Sequence, residues 1–308
     1  MRPNTDCVLG SLKDFQRVTV EYAFRRLWLD DDQVTRFLVA DEVGLGKTMV
    51  AKGVIAKTVD HLWDSGKPIN IVYICSNGQI ARQNLSRLNE VGGSELRHAD
   101  RLTLLPKVIG ALRDQRINFV SFTPDTSFRV DRSSGRYAER VLLYWMLAAC
   151  WGARITTQSG WKRFFEDRMS SCNFEYYLTQ FDMSSLDEGL CQKFAAAIDE
   201  ATGPGGGPLQ EELEACAKEF DDIDVEPGWD IRRLRRQLIG SIRQLVARAA
   251  VSYLQPSLVI LDEFQRFRDL LDAADDNDGA QLANAILEHP GARVLLLSAT
   301  PYKMYTLP

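Results

Sequence analysis

Bulk positive charge, paired cysteines, clustered histidines and long apolar runs are all missing from this 308-residue chain. Formal charge sums to −5 and the pI lies near 5.4. No global positive field would therefore draw the chain onto nucleic acid, and any contact with phosphate must come from local patches. Six cysteines (Cys7, Cys75, Cys150, Cys172, Cys191, Cys216) are scattered without a Cys-x-x-Cys pair, and none of the three histidines (His61, His98, His289) lies near a cysteine in sequence. That pattern argues against structural zinc and for reduced thiols. No apolar run approaches the roughly 18 residues of a spanning helix, and the N-terminus has no signal-peptide apolar region. The expectation is a cytoplasmic, nucleoid-associated protein with no membrane partner. The remainder is ordinary for a globular chain, 45% hydrophobic and 26% charged, and long enough for one large domain or two small ones.

Three apolar runs end in polar residues. The first, Phe37-Leu38-Val39-Ala40, leads into Asp41-Glu42-Val43-Gly44-Leu45-Gly46-Lys47-Thr48, and a helical pattern follows. Strand, glycine turn and helix form a cradle for nucleotide phosphates: backbone N–H groups face the anion and the helix N-terminus adds partial positive charge. Within it Lys47 would reach the β- and γ-phosphates and Thr48 would ligate Mg²⁺. Asp41 stands where the strict pattern has glycine.

The second run, Leu258-Val259-Ile260-Leu261, ends in Asp262-Glu263-Phe264-Gln265. A continuous apolar strand suits a buried parallel sheet, whose ligands gather at the carboxyl ends of the strands. Asp262 there suits the Mg²⁺ of Mg–ATP, held through water, and Glu263 suits a general base for the attacking water. The third run, Val294-Leu295-Leu296-Leu297, ends in Ser298-Ala299-Thr300-Pro301. The Ser298 and Thr300 hydroxyls could sense the γ-phosphate or bond the Glu263 and Gln265 region, and Pro301 stops the strand.

Together these segments resemble motifs I, II and III of superfamily 2 helicases, most closely the Swi/Snf-like branch with its RapA-type translocases. Phe15-Gln16, within Leu12-Lys13-Asp14-Phe15-Gln16-Arg17, matches the aromatic–Gln pair with which that branch reads adenine, and a non-glycine first loop position is normal for it. Ile71-Val72-Tyr73-Ile74-Cys75-Ser76, with Gln79 and Gln83, resembles motif Ia, which touches the nucleic-acid backbone. Arg82 and Arg87 follow it. The Asp-Glu-Phe-Gln box departs from the Asp-Glu-Ala-His of most relatives; both carboxylates stay, and the coupling role of Gln265 is where it differs.

The resemblance covers about Lys13 to Asn84 and Ser257 to Lys303. It implies an Mg²⁺-dependent ATP hydrolase whose catalytic residues are Glu263, Lys47, Asp262 and Gln265. Nucleotide contacts would come from Gln16, Gly44, Gly46, Lys47, Thr48, Ser298 and Thr300, and metal ligation from Thr48 and Asp262. The implied partner is nucleic acid, DNA ahead of RNA.

Strand and helix patterns alternate over residues 1–122 and return over 249–308. This predicts an α/β, RecA-like P-loop lobe with a doubly wound, mostly parallel sheet. Residues 123–248 break the rhythm and read as a large, mostly helical insertion, with Thr202–Pro208 as a flexible Gly/Pro hinge. Trp145, Trp151, Trp161, Phe164 and Phe165 read as helix-packing core, with base stacking as the alternative. Arg232, Arg233, Arg235, Arg236, Arg243 and Arg248 interleave with apolar residues at helical spacing. A helix packed on the sheet with a solvated arginine face is the simpler reading, and phosphate contact the other.

Helicase-type ATPases of this kind hold ATP between two RecA-like lobes, and the second supplies an arginine worth about 10³–10⁵ in rate in related systems. The sequence stops soon after its third motif. The expectation is an N-terminal motor lobe completed by a second lobe, in missing C-terminal sequence or in another subunit. Two other readings stay open. One is an ATP-gated interaction subunit whose helical insertion engages a protein partner; the other is a P-loop NTPase of AAA+ type with Ser298 or Thr300 as phosphate sensor.

Overall fold

The structure is a computed structural model that describes residues 2, 4–41, 44–76, 83, 84, 88, 96–112, 115–128, 133–222, 224, 226–267 and 278–298. Strands β1 (Arg36–Ala40), β2 (Ile69–Cys75), β3 (Leu96–His98), β4 (Ile117–Phe122), β5 (Leu258–Asp262) and β6 (Arg293–Ser298) form one sheet in the order β1-β6-β5-β2-β4-β3. Every recorded pairing in it is parallel. The chain divides into two compact units. One comprises residues 1–100, 112–128 and 254–308 and contains the sheet; the other comprises 101–111 and 129–253 and is helical.

In the sheet unit, β4 is buried along its whole length and β5 over all but its last residue. This is the reason both read as unbroken apolar runs: a parallel sheet is covered on both faces. Edge strand β1 buries fully only Val39. Helices α1 (Thr5–Gly10), α2 (Asp14–Trp28) and α3 (Lys47–Leu62) belong to this unit. In α2, Asp14 lies in the first turn and Arg25 and Arg26 in the last, complementing the helix dipole. Its buried stripe of Val20, Ala23 and Leu27 packs into the same core as Val50, Val54, Ile55 and Val59 of α3. Burying each of the valine, leucine and isoleucine side chains contributes roughly 1.5–3 kcal/mol. The two helices approach closely because α3 carries Gly53, where a methyl group would come within 2.6 Å of Val20 Cγ2.

The helical unit contains α4 (Leu105–Leu112, its last residue excepted), and the sheet unit contains α5 (Pro124–Ser127). The helical unit continues with α6 (Tyr137–Trp151), α7 (Ala153–Thr157), α8 (Ser159–Glu166), α9 (Ser171–Thr179), α10 (Glu188–Asp199), α11 (Leu209–Lys218) and α12 (Trp229–Leu254). Helix α13 (Asp278–Leu287) lies in the sheet unit. The core of the helical unit is aromatic. Trp161 stacks on Phe165 with centroids 6.5 Å apart, Phe164 meets both edge-on, and all three are buried. These rings are packing, as helix spacing predicts.

Two expectations are corrected here. The Thr202–Pro208 segment is a fastened turn joining α10 to α11 within one unit. Its ends bridge, Gly203 N donates to Gly207 O at 2.8 Å, and Glu212 accepts from the N–H groups of Gly205 and Gly207 at 3.0 and 2.9 Å. One carboxylate holding two loop amides removes the freedom that Gly/Pro composition suggests. Nor is the arginine face of α12 simply solvated. Arg243 is fully buried against Glu139 at 2.8 Å, and Arg235 pairs with Asp167 at 2.5 Å.

Candidate functional site

The C-terminal edge of the sheet collects the polar ends of the apolar runs. Ala40 of β1 pairs in register with Ser298 of β6, and Asp262 of β5 with Leu297. The ends of β1 and β5 are thus separated only by β6, about 10 Å of backbone at the usual strand spacing. Asp41 N donates to Ser298 O at 3.2 Å, extending the β1–β6 ladder into the loop. Gly44 and Gly46 both have positive φ, +90° and +85°. Only glycine takes that conformation without strain, and Gly46 then serves as the N-cap of α3.

Gln16 fastens this loop. Its side-chain carbonyl accepts from Lys13 N at 3.1 Å, and its amide donates to Leu45 O at 3.0 Å. Gln16 is buried, whereas Phe15 beside it is largely exposed. Lys47, on the first turn of α3, donates to Asp41 O at 2.9 Å, and Thr48 beside it is half-buried. The lysine charge is felt at Asp262, where it favours the ionised carboxylate. Lys47, at the start of the helix that follows β1, and Asp262, at the end of β5, lie at the same edge of the sheet.

Burial pushes the Asp262 carboxyl above the usual carboxylate range, and Glu263 next door adds to the rise. A hydrogen bond from Tyr73 and the Lys47 charge pull the other way. Tyr73 OH donates to Asp262 Oδ2 at 2.5 Å, and Asn84 Nδ2 lies 2.9 Å from that hydroxyl and 3.4 Å from the same carboxylate oxygen. Burial and the neighbouring carboxylate drive the Tyr73 phenol far upward, so it remains a proton donor. Glu263 has φ +57°, a conformation that L side chains adopt at a cost of roughly 1–2 kcal/mol. Ser76 Oγ donates to Glu263 Oε2 at 3.1 Å.

Tyr73, Asn84 and Ser76 were not singled out from the sequence as site residues. The available signal was a tyrosine in a largely apolar strand, two residues before its end. Ser298 is buried at the end of β6. Gln265 lies on the short 3-10 turn Phe264–Phe267. Thr300, and Gln79, Arg82 and Arg87 of the motif Ia reading, lie outside the described residues.

The donor set suits a magnesium-bound polyphosphate. Among the described residues no three His, Cys, Asp or Glu side chains cluster as a metal site, but Mg²⁺ with substrate phosphates needs only one or two protein carboxylates. Among the described residues, no helix is long and apolar enough to cross a membrane. Comparison with family models, with curated proteins and with solved structures gives no match for this chain. What can be stated of it is the architecture: an α/β protein with an all-parallel sheet among its described strands, compatible with a RecA-like lobe.

Proposed function

We propose that the sheet unit is a RecA-like, ATP-binding lobe of a superfamily 2 helicase-like, nucleic-acid-dependent ATPase. The observation that carries the reading is that the helix start bearing Lys47 and the strand end bearing Asp262 lie at one sheet edge, beside a loop with two left-handed glycines fastened by Gln16. Bound Mg²⁺ would be held by Asp262 and Thr48 and would draw charge from the phosphate oxygens.

The chain's own groups do the rest. Lys47 leaves the Asp41 carbonyl to meet phosphate charge, and the loop N–H groups and the start of α3 face the same anion. Tyr73 and Asn84 hold one oxygen of Asp262, so that its other oxygen would be available to help hold the metal. Glu263, fixed by Ser76, takes the proton of the attacking water. A second RecA-like lobe, on the same polypeptide or another subunit, supplies the arginine that raises turnover, and DNA is the proposed stimulating strand.

The test is calorimetric titration of Mg–ATP into the chain and its Lys47→Ala and Asp262→Asn variants. Weak but measurable binding by the parent, lost in Lys47→Ala and dependent on Mg²⁺ only where Asp262 is intact, is the expected result. Equal binding by all three proteins would overturn the assignment. Gln16→Ala should weaken ATP binding, through the loop it fastens as well as any adenine contact, whereas other P-loop types would not depend on it.

A further inference from the structure

The helical unit has a cleft of about 650 Å³ whose wall is rich in arginine: Arg163, Arg168, Arg232, Arg235 and Arg236 line it. Three carboxylates share that wall, and each is engaged. Asp167 accepts from Arg235 and, at 2.6 Å, from Ser134; Glu226 pairs with Arg232 at 3.3 Å; Glu166 accepts from Ser171 at 3.0 Å. Five guanidinium groups against three carboxylates leave a positive balance in a chain whose total is −5. Arg168 and Arg236 form no ion pair with any described residue.

A second cleft of about 550 Å³ adjoins the first, and Arg168 and Arg236 line both. The two unpaired cations thus stand on the wall that the clefts share. The first turns of α9 and α12 open onto the larger one, and Ser170, which caps α9, gives its N–H groups no side-chain partner. At the rim Trp229 is 59% exposed, with the Arg233 guanidinium 5.4 Å from its ring centroid. Asp167, which lines both clefts, has φ +51° and is held by Ser134 and Arg235. Backbone strain of this kind persists where surrounding contacts fix it, and such positions gather at ligand sites. Deeper in the wall, the buried Nε of Arg235 has no hydrogen-bond partner.

Unpaired guanidinium groups, helix N-termini and an accessible indole recognise different parts of one molecule. The first two suit phosphate oxygens, and the third suits the face of a base. We propose that this arginine wall is a second binding site, separate from the Lys47 loop, for a nucleoside phosphate. The phosphate sits between Arg168 and Arg236 and the base stacks on Trp229. A free mononucleotide and the 5′-phosphorylated end of a strand carry this same chemistry.

The experiment uses the full chain carrying Lys47→Ala, which silences the other nucleotide site. Binding of AMP, adenosine, a 5′-phosphorylated oligonucleotide and its 5′-hydroxyl counterpart is followed by calorimetry and fluorescence anisotropy. AMP should bind and adenosine should not. Trp229→Ala and the double variant Arg168→Gln/Arg236→Gln should each weaken AMP by about tenfold or more, and raised salt should weaken the parent more than the double variant. These side chains lie at the surface of the cleft, and an unchanged circular dichroism spectrum verifies that the variants fold. A phosphorylated oligonucleotide that binds tighter than AMP identifies the strand end as the source; equal affinity identifies the free nucleotide. Equal binding of AMP and adenosine, no binding of any probe, or variants that bind like the parent would overturn the proposal.

Discussion

Replacing Tyr73 with phenylalanine removes one oxygen from the sheet edge and leaves the ring in place. The lost interaction is the 2.5 Å hydrogen bond to Asp262 Oδ2. A bond to a charged group contributes about 1.5–3 kcal/mol, and 1.36 kcal/mol corresponds to one pKa unit. The Asp262 carboxyl, already raised by burial, should therefore rise further, by the equivalent of that lost bond. The sign follows from which form holds the metal. Only the carboxylate does so, and the variant needs higher pH to form it. Onset of Mg²⁺-dependent nucleotide binding should shift to higher pH by that amount, with parent and variant alike once both are ionised. The assay is titration of Mg²⁺ into protein with a fluorescent ATP analogue across a pH series, beside a metal-free control. Coincident pH midpoints would refute the reasoning, and so would a uniform loss of binding at every pH.

Two further perturbations test how the units are built. In the helical unit burial pushes the Glu139 carboxyl up, but the Arg243 charge, the Thr103 hydroxyl and the Arg136 N–H together draw it below its ordinary value. A carboxyl with a lowered folded-state pKa stabilises above its unfolded value and loses that stabilisation as pH falls through the lowered one. Urea unfolding should show this loss at acid pH. Arg243→Met, which leaves the buried Glu139 carboxylate with Arg101 at 3.6 Å as its remaining ion partner, should cost up to about 3–5 kcal/mol near neutrality, and adding Glu139→Leu should restore part of it; additive losses in the pair would contradict the ion-pair account. At the candidate site, Glu263→Gly relieves about 1–2 kcal/mol of left-handed strain against the usual glycine penalty of roughly 0.5–1 kcal/mol. Its melting temperature should be level with the parent or higher while ATP turnover disappears. A clear drop in melting temperature would show that the side chain at residue 263 serves structure.

The sheet was legible because its strands are buried on both faces. Arg36–Ala40 contains the apolar run Phe37–Ala40, Ile69–Cys75 takes in Ile71–Cys75, and Leu258–Asp262 follows from its apolar run. The loop glycines were legible too, since a turn leading into Lys47 needs left-handed backbone. Tyr73 was not, because periodicity sees only a bulky strand residue, and its partner lies 189 positions away. Composition misjudged Thr202–Pro208 because the restraint comes from Glu212, outside the Gly/Pro segment. Arg235 and Arg243 looked like surface charge for the same reason: Asp167 and Glu139, which bury them, sit on other elements.

Strand order also has a consequence in time. The recorded ladder of β1 runs only along β6, so Arg36 waits for Val294 before its strand is hydrogen-bonded. During synthesis from the N-terminus, the segment that carries Lys47 emerges early and stays without its neighbouring strand until almost the entire described chain has been made. Closing so long a loop is slow. The nucleotide binding proposed for this edge should accordingly begin only after β6 has left the ribosome.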